Sequence, residues 1–157
     1  MNTLIVYASN HGTTAKVAEK ISRIIGHNRC RTVNIRSESL PDLDRFDSII
    51  IGGSIHFGKV QRAIRKFCEK NIEVLLKKKL GLFICYMEKS KELEEYLRSF
   101  PAVLINHAHA EGFFGGECDF DNMNYLEKLV VKKHLGFDKT VTRLDGQSIN
   151  HFAIMMQ

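Results

Sequence analysis

Thr3-Leu4-Ile5-Val6-Tyr7-Ala8-Ser9-Asn10-His11-Gly12-Thr13-Thr14 passes from an apolar, β-branched run into a turn that carries one glycine and three hydroxyl side chains. Val17, Ala18, Ile21, Ile24 and Ile25 follow at the spacing of one helix face. The stretch reads as strand, tight turn, helix, and the pattern recurs. Ser48 to Ile51 and Leu80 to Met87 are buried-type runs without alternation, and Gln61 to Lys70 lies between them as a helix with Ala63, Ile64, Phe67 and Cys68 on one side. Thr32 to Ile35 reads as a short second strand, Lys89 to Phe100 as a helix, and Ala108 to Phe114 as a last strand closing on Gly115-Gly116. Asn122 to His134 and the segment from Asp145 read as helices, with Gly136 to Gly146 a polar surface loop between them. Strands that are apolar on both sides and joined by helices pair in parallel and are covered on each face, so the expected class is an α/β doubly wound sheet.

The 157 residues, 44% of them apolar and 26% charged, suffice for one compact core and one domain over 1–157, and argue against a disordered or fibrous chain. No apolar run approaches the ~20 residues of a membrane span. Met1-Asn2-Thr3-Leu4-Ile5-Val6-Tyr7 has no secretory leader pattern, and a cytoplasmic protein is expected. Cys30, Cys68, Cys85 and Cys118 form no C-x-x-C pair and read as reduced thiols. His107 and His109, read on a strand, share a face with no third ligand nearby in sequence, so no metal is expected. The 23 Lys and Arg against 18 Asp and Glu give +5, which favours an anionic ligand, substrate or surface. No helix-turn-helix, zinc or RNA-binding signature accompanies the charge, so nucleic acid is not the expected partner.

In an open parallel sheet, ligands bind beyond the carboxyl ends of the strands. The turn Ser9, Asn10, His11, Gly12, Thr13, Thr14 sits there and opens a helix, whose unpaired N–H groups and partial positive charge suit a phosphate. It is neither G-x-G-x-x-G nor G-x-x-x-x-G-K-[ST], which leaves a monophosphate. The competing reading needs no ligand: Ser9 and Thr13 would only cap the helix. The third strand runs into Gly52-Gly53-Ser54-Ile55-His56-Phe57-Gly58-Lys59 and the fourth into Cys85-Tyr86-Met87-Glu88, which set aromatic rings, a thioether and backbone amides on the same rim. One phosphate cradle and two such loops fit a ligand with a phosphate at one end and a planar ring at the other, and flavin mononucleotide (FMN) has that shape. His56 reads either as a cation or proton relay beside a reduced flavin or as a solvent-facing loop residue.

These loops give the chain a specific resemblance: over nearly its whole length it resembles a flavodoxin-like FMN-binding domain, with Ser9 to Thr14 matching the phosphate loop. Ile51 to Gly58 is similar to the flavin loop of the menaquinone-dependent protoporphyrinogen dehydrogenases, and Gly116 with the helix Asn122 to His134 resembles their basic helical insertion. The resemblance implies five parallel strands in the order 2-1-3-4-5. It implies FMN as cofactor, held by Ser9 to Thr14 at the phosphate and flanked by Gly53 to Gly58 and Cys85 to Glu88 at the ring. It also implies an oxidoreductase or electron-transfer protein with a redox partner, a quinone or another protein, and protoporphyrinogen as a candidate porphyrin substrate. The basic clusters Lys59, Arg62, Arg65, Lys66 and Lys128, Lys132, Lys133 read either as solvated helix faces or as a rim that attracts a porphyrin's carboxylates or an anionic membrane surface. An electron carrier serving a protein partner and a ligand-free regulatory domain of the same fold are the alternatives. A receiver domain would need acidic residues after the first strand and an aspartate after the third, where Ser9-Asn10 and Gly52-Gly53-Ser54 stand.

Overall fold

The computed structural model describes residues 1–9, 12–118, 120–136 and 139–157. Its sheet is built from β1 (Thr3–Ala8), β2 (Cys30–Asn34), β3 (Ser48–His56), the short β4 (Lys59–Val60), β5 (Lys79–Cys85) and β6 (Ala110–Phe113). The order is β2-β1-β3-β5-β6, all neighbours parallel, with β4 folded back antiparallel on the end of β3. With two-residue β4 set aside, this is the expected order 2-1-3-4-5.

The strands form because their β-branched and aromatic side chains fill both faces. Successive side chains point to opposite sides of the sheet, so Leu4 and Val6 enter one core and Ile5 the other. The first core is closed by α2 (Arg62–Lys70), α3 (Ile72–Leu75), α4 (Glu92–Ser99) and α5 (Ala102–His107), through Ile64, Phe67, Leu75, Tyr96 and Leu104. The second is closed by α1 (Thr13–Ile25) and α7 (Gly146–Met155), through Val17, Ile21, Ile149 and Phe152. Phe83, Phe114 and Phe152 stack against one another there, with ring centroids 5.3–6.2 Å apart. Asp145 caps α7, its carboxylate accepting from the Gln147 and Ser148 N–H groups at 3.1 and 3.0 Å.

Three readings of the sequence are corrected. His107 is not on a strand: Pro101, at φ −56°, starts α5, which ends at His107, and the imidazole Nε2 lies 3.0 Å from the Lys78 carbonyl. His109 lies just before β6, its N–H on the Leu80 carbonyl, so the two do not share a strand face. β3 does not stop at Ile51. It pairs with β5 as far as Ser54↔Cys85, then with β4 as Ile55↔Val60 and His56↔Lys59, around a two-residue turn in which Phe57 and Gly58 both have positive φ. That is the backbone of a hairpin turn whose twist matches its strands. Finally, the late segment holds a small antiparallel ribbon of β7 (Glu117–Cys118) and β8 (Val141–Thr142) around α6 (Tyr125–Leu135). Asn124 starts that helix through a reciprocal capping box with Glu127, and Gly136, at φ +73°, ends it.

Candidate functional site

The carboxyl ends of β1, β3 and β5 open on one cleft of about 160 Å³. Ser9 and Thr13 line it from the turn after β1, Ser54, Ile55 and His56 from the end of β3, and Cys85, Tyr86 and Met87 from the end of β5. Eight side chains singled out from sequence thus meet at one place. Gly12, Thr14, Gly53, Phe57, Gly58 and Glu88 are not among the lining residues, and Asn10 and His11 lie outside the described residues.

The turn after β1 is held from inside the protein. Ser9 Oγ accepts the Gly12 N–H at 3.0 Å, and the Asn34 carboxamide braces Ser9 by accepting its N–H and donating to its carbonyl, at 3.4 and 3.3 Å. Thr13 Oγ1 donates to the Glu117 carbonyl at 3.2 Å, and the Thr14 and Ser54 hydroxyls are hydrogen-bonded at 2.6 Å. The residue that caps α1 is Gly12, at φ +86°, and no side chain caps the helix. The helix-cap reading of Ser9 and Thr13 is therefore not what the turn does. The first N–H groups of α1 have no intrahelical partner, as at any helix start, no side chain of the described residues accepts from them, and they carry the positive end of the helix dipole. Lys16 pairs with Glu117 at 2.6 Å, which ties the β7 ribbon to the same helix.

Much of the lining is apolar. Ile55, Tyr86 and Met87 share the cleft with Met123, Val131 and Leu135, which come from α6 and the residues before it. Cys85 is buried at the cleft floor, where burial pushes its thiol up to about 12 against a smaller opposing effect of its hydrogen bond with Thr14. The Tyr86 hydroxyl is also pushed up, first by burial and then by its hydrogen bond with Glu92. Glu88, fully exposed, is held below the usual carboxylate range by its hydrogen bond with Lys91. Phe57 stands 85% exposed at the hairpin tip, its ring edge-on to His134 with centroids 6.3 Å apart. That contact sets the hairpin carrying Lys59 beside the last turn of α6, with Lys132 and Lys133. Among the described residues, no group of three or more His, Cys, Asp or Glu is placed to hold a metal ion, and no helix is long and apolar enough to cross a membrane.

Sequence reading missed Gln61, Gly116, Glu117, Met123, Val131 and Leu135 in this cleft. Val131 and Leu135 are spaced i, i+4 in the late helix, a signal that they share a face though not that the face meets the cleft. For Gln61 the sequence carries no such signal; only the fold shows a polar residue 9% exposed.

A flavodoxin domain family model matches residues 4–145. No curated protein matches the sequence. Among solved structures, a WrbA-like flavodoxin from Agrobacterium tumefaciens is 22% identical, with a TM-score of 0.54 over 70% of this chain and 74% of that one. Oxidised flavodoxin 1 from Bacillus cereus is 19% identical, with a TM-score of 0.56 over 74% and 85%. A point mutant of the Fusobacterium nucleatum flavodoxin, bound to FMN, is 17% identical, with a TM-score of 0.50 over 79% and 73%. These likenesses are of fold.

Proposed function

The chain belongs to the flavodoxin domain family, and from that premise we propose that it binds FMN in the cleft and acts as an electron-transfer protein or oxidoreductase. The observation that carries the reading is the first turn of α1, with Gly12 as its N-cap, opening on the same cleft as the apolar side chains at the ends of β3 and β5. The fit is one of chemistry: main-chain donors of a helix start for a phosphate dianion, and Ile55, Tyr86, Met87, Val131 and Leu135 for a flat ring. In this assignment Ser9, Gly12, Thr13 and Thr14, with Asn10 and His11 of the same turn, hold the phosphate. Gly53 to Gly58 and Cys85 to Glu88 flank the ring, with β3 and β5 aligning the two segments.

Bound FMN supplies electron transfer in one- or two-electron steps. The protein's part is to bind, orient and exclude water. Main-chain donors of the turn fix one end, and apolar side chains of β3, β5 and α6 remove solvent from the other. His56 is exposed and lines the cleft, and its part there is either to hold or pass a proton or only to face solvent. The test is a titration of the purified protein with FMN and with riboflavin, followed by visible absorbance and fluorescence. Tight FMN binding with much weaker riboflavin binding is expected, and absence of FMN binding rejects the assignment.

The finer reading is oxidation of protoporphyrinogen with a quinone acceptor. It is supported by the resemblance of Ile51 to Gly58 and of the late basic helix to the protoporphyrinogen dehydrogenases, and by the positive charge of the rim. A peripheral position on an anionic membrane surface is supported by the outward side chains of α6, where Tyr125, Leu126, Leu129 and Val130 are exposed next to Lys132 and Lys133. Anaerobic assay of the FMN-loaded protein should show protoporphyrinogen oxidation with menaquinone, and turnover only with protein acceptors would return the carrier reading. Flotation with vesicles containing phosphatidylglycerol should recover the protein at low salt, and recovery equal to that with neutral vesicles would reject the surface.

A further inference from the structure

The β1–β3 ladder ends at Ala8↔Gly53, where the two chains part toward the turn and the hairpin. Gln61 occupies the fork. Its Oε1 accepts from the Ser54 N–H at 3.1 Å, and its Nε2 donates to the Ala8 carbonyl at 3.1 Å. The side-chain amide thus does what one more rung of backbone would do, between residues the backbone no longer pairs. The neighbouring position is shaped to it: a Cβ on Gly53 would lie 2.4 Å from Gln61 Oε1. Ser54 is held again from the other side, its hydroxyl bonded to Thr14 at 2.6 Å. Two struts therefore join the root of the turn and the first turn of α1 to a single residue of the hairpin.

Resting on the FMN assignment above, we infer that Gln61 is a positioning residue that sets the spacing between the phosphate turn and the ring-flanking hairpin. A ligand anchored at both segments binds well only if their separation is fixed before it arrives, because any freedom there is lost on binding. The position suits glutamine because its neutral amide presents an acceptor atom and a donor atom on a planar group of this length at any pH. Leucine leaves the Ser54 N–H and the Ala8 carbonyl without partners. An ionised glutamate keeps an acceptor on the Ser54 N–H but sets its second oxygen, also an acceptor, against the Ala8 carbonyl, whereas a protonated glutamic acid again offers one acceptor and one donor.

The experiment compares wild type, Gln61→Leu and Gln61→Glu. FMN affinity is measured from pH 5 to pH 8 as the ratio of each variant to wild type, so that ionisation of the phosphate cancels. Amide exchange at Ser54 is followed by NMR in the cofactor-free proteins, with Ile51 in the core as reference. Gln61→Leu is expected to bind about tenfold more weakly at every pH, with Ser54 exchanging faster and Ile51 unchanged. Gln61→Glu is expected to match that loss at pH 8 and to recover toward wild type at pH 5, in affinity and in Ser54 protection. Variant affinities equal to wild type, a Gln61→Glu deficit that does not move with pH, or a lower melting temperature with Ser54 exchange unchanged would each overturn the inference. If wild type takes up no FMN, the functional reading fails by itself, and Ser54 exchange in the cofactor-free proteins still decides whether the strut exists.

Discussion

Gly12→Val isolates the phosphate turn. Gly12 sits at φ +86°, in the left-handed region, and a Cβ built on it meets nothing within 4 Å. The cost expected of the substitution is therefore the conformational one. An L-residue held left-handed costs about 1–2 kcal/mol, with a β-branched side chain at the upper end. For a domain of this length that lowers the melting temperature by about 2–8 °C. Relief of the strain rotates the peptide leading into Thr13 and moves the first donors of α1 out of line. One charge-assisted hydrogen bond lost to an anion costs about 1.5–3 kcal/mol, or about 10- to 150-fold in affinity. Parallel titrations with FMN and riboflavin check this, because only FMN carries the phosphate: FMN binding should fall by that factor and riboflavin binding should hold. Equal losses for the two flavins, or undiminished FMN affinity in a variant whose melting temperature has dropped, would refute the cradle.

Asp145→Ala should lower stability by about 1 kcal/mol at neutral pH through loss of the α7 cap. Bonds from Ser148, side chain first, hold the Asp145 carboxyl below its ordinary value. Its contribution is thus present above the unfolded pKa and lost as pH falls through the lower folded one, and urea melts of the two proteins should converge as the pH falls through that range. With their thiols raised to about 12, Cys68 and Cys85 should resist iodoacetamide at pH 8 in the native protein and react after unfolding, as read by mass spectrometry. Native alkylation at Cys85 would contradict the buried cleft floor. Replacing Val131 and Leu135 together by Asp should change unfolding free energy by less than about 0.5 kcal/mol, as surface substitutions do, while weakening FMN binding. A large loss of stability would show that α6 belongs to the core.

The sheet was legible because its strands are uniform apolar runs. Ile49, Ile50 and Ile51 leave no alternation to misread, and Val17, Ala18, Ile21 and Ile25 repeat at the helix period. The site was legible where it follows strand ends, so Ser9, Thr13, Ser54 to His56 and Cys85 to Met87 emerged from topology alone. Boundaries set by pairing partners were not. β3 extends through Gly52-Gly53, which local composition marks as a break, because the neighbouring strands β1 and β5 carry the ladder past them. Gln61 was invisible for a related reason. Its importance lies in being beside Ala8 and Ser54 at once, a property of the fork and not of its own segment.

α6 shows what a sequence pattern leaves open even when the helix itself is foreseen. An 11-residue helix is marginal in water, and helices of this kind normally gain stability by burying one face. None of the described α6 side chains is buried, although the helix is apolar on two sides. Its ends are fixed by the Asn124–Glu127 capping box and by Gly136, while Val131 and Leu135 line the cleft without being buried there. Any ligand that packs on those two side chains adds burial that the helix otherwise lacks. Binding in the cleft and ordering of α6 must then favour one another by the same free energy, since coupling between two equilibria is reciprocal. A partner that covers Tyr125, Leu126, Leu129 and Val130 from outside acts on the same helix, so occupancy of the cleft and engagement of the outer face are linked through it.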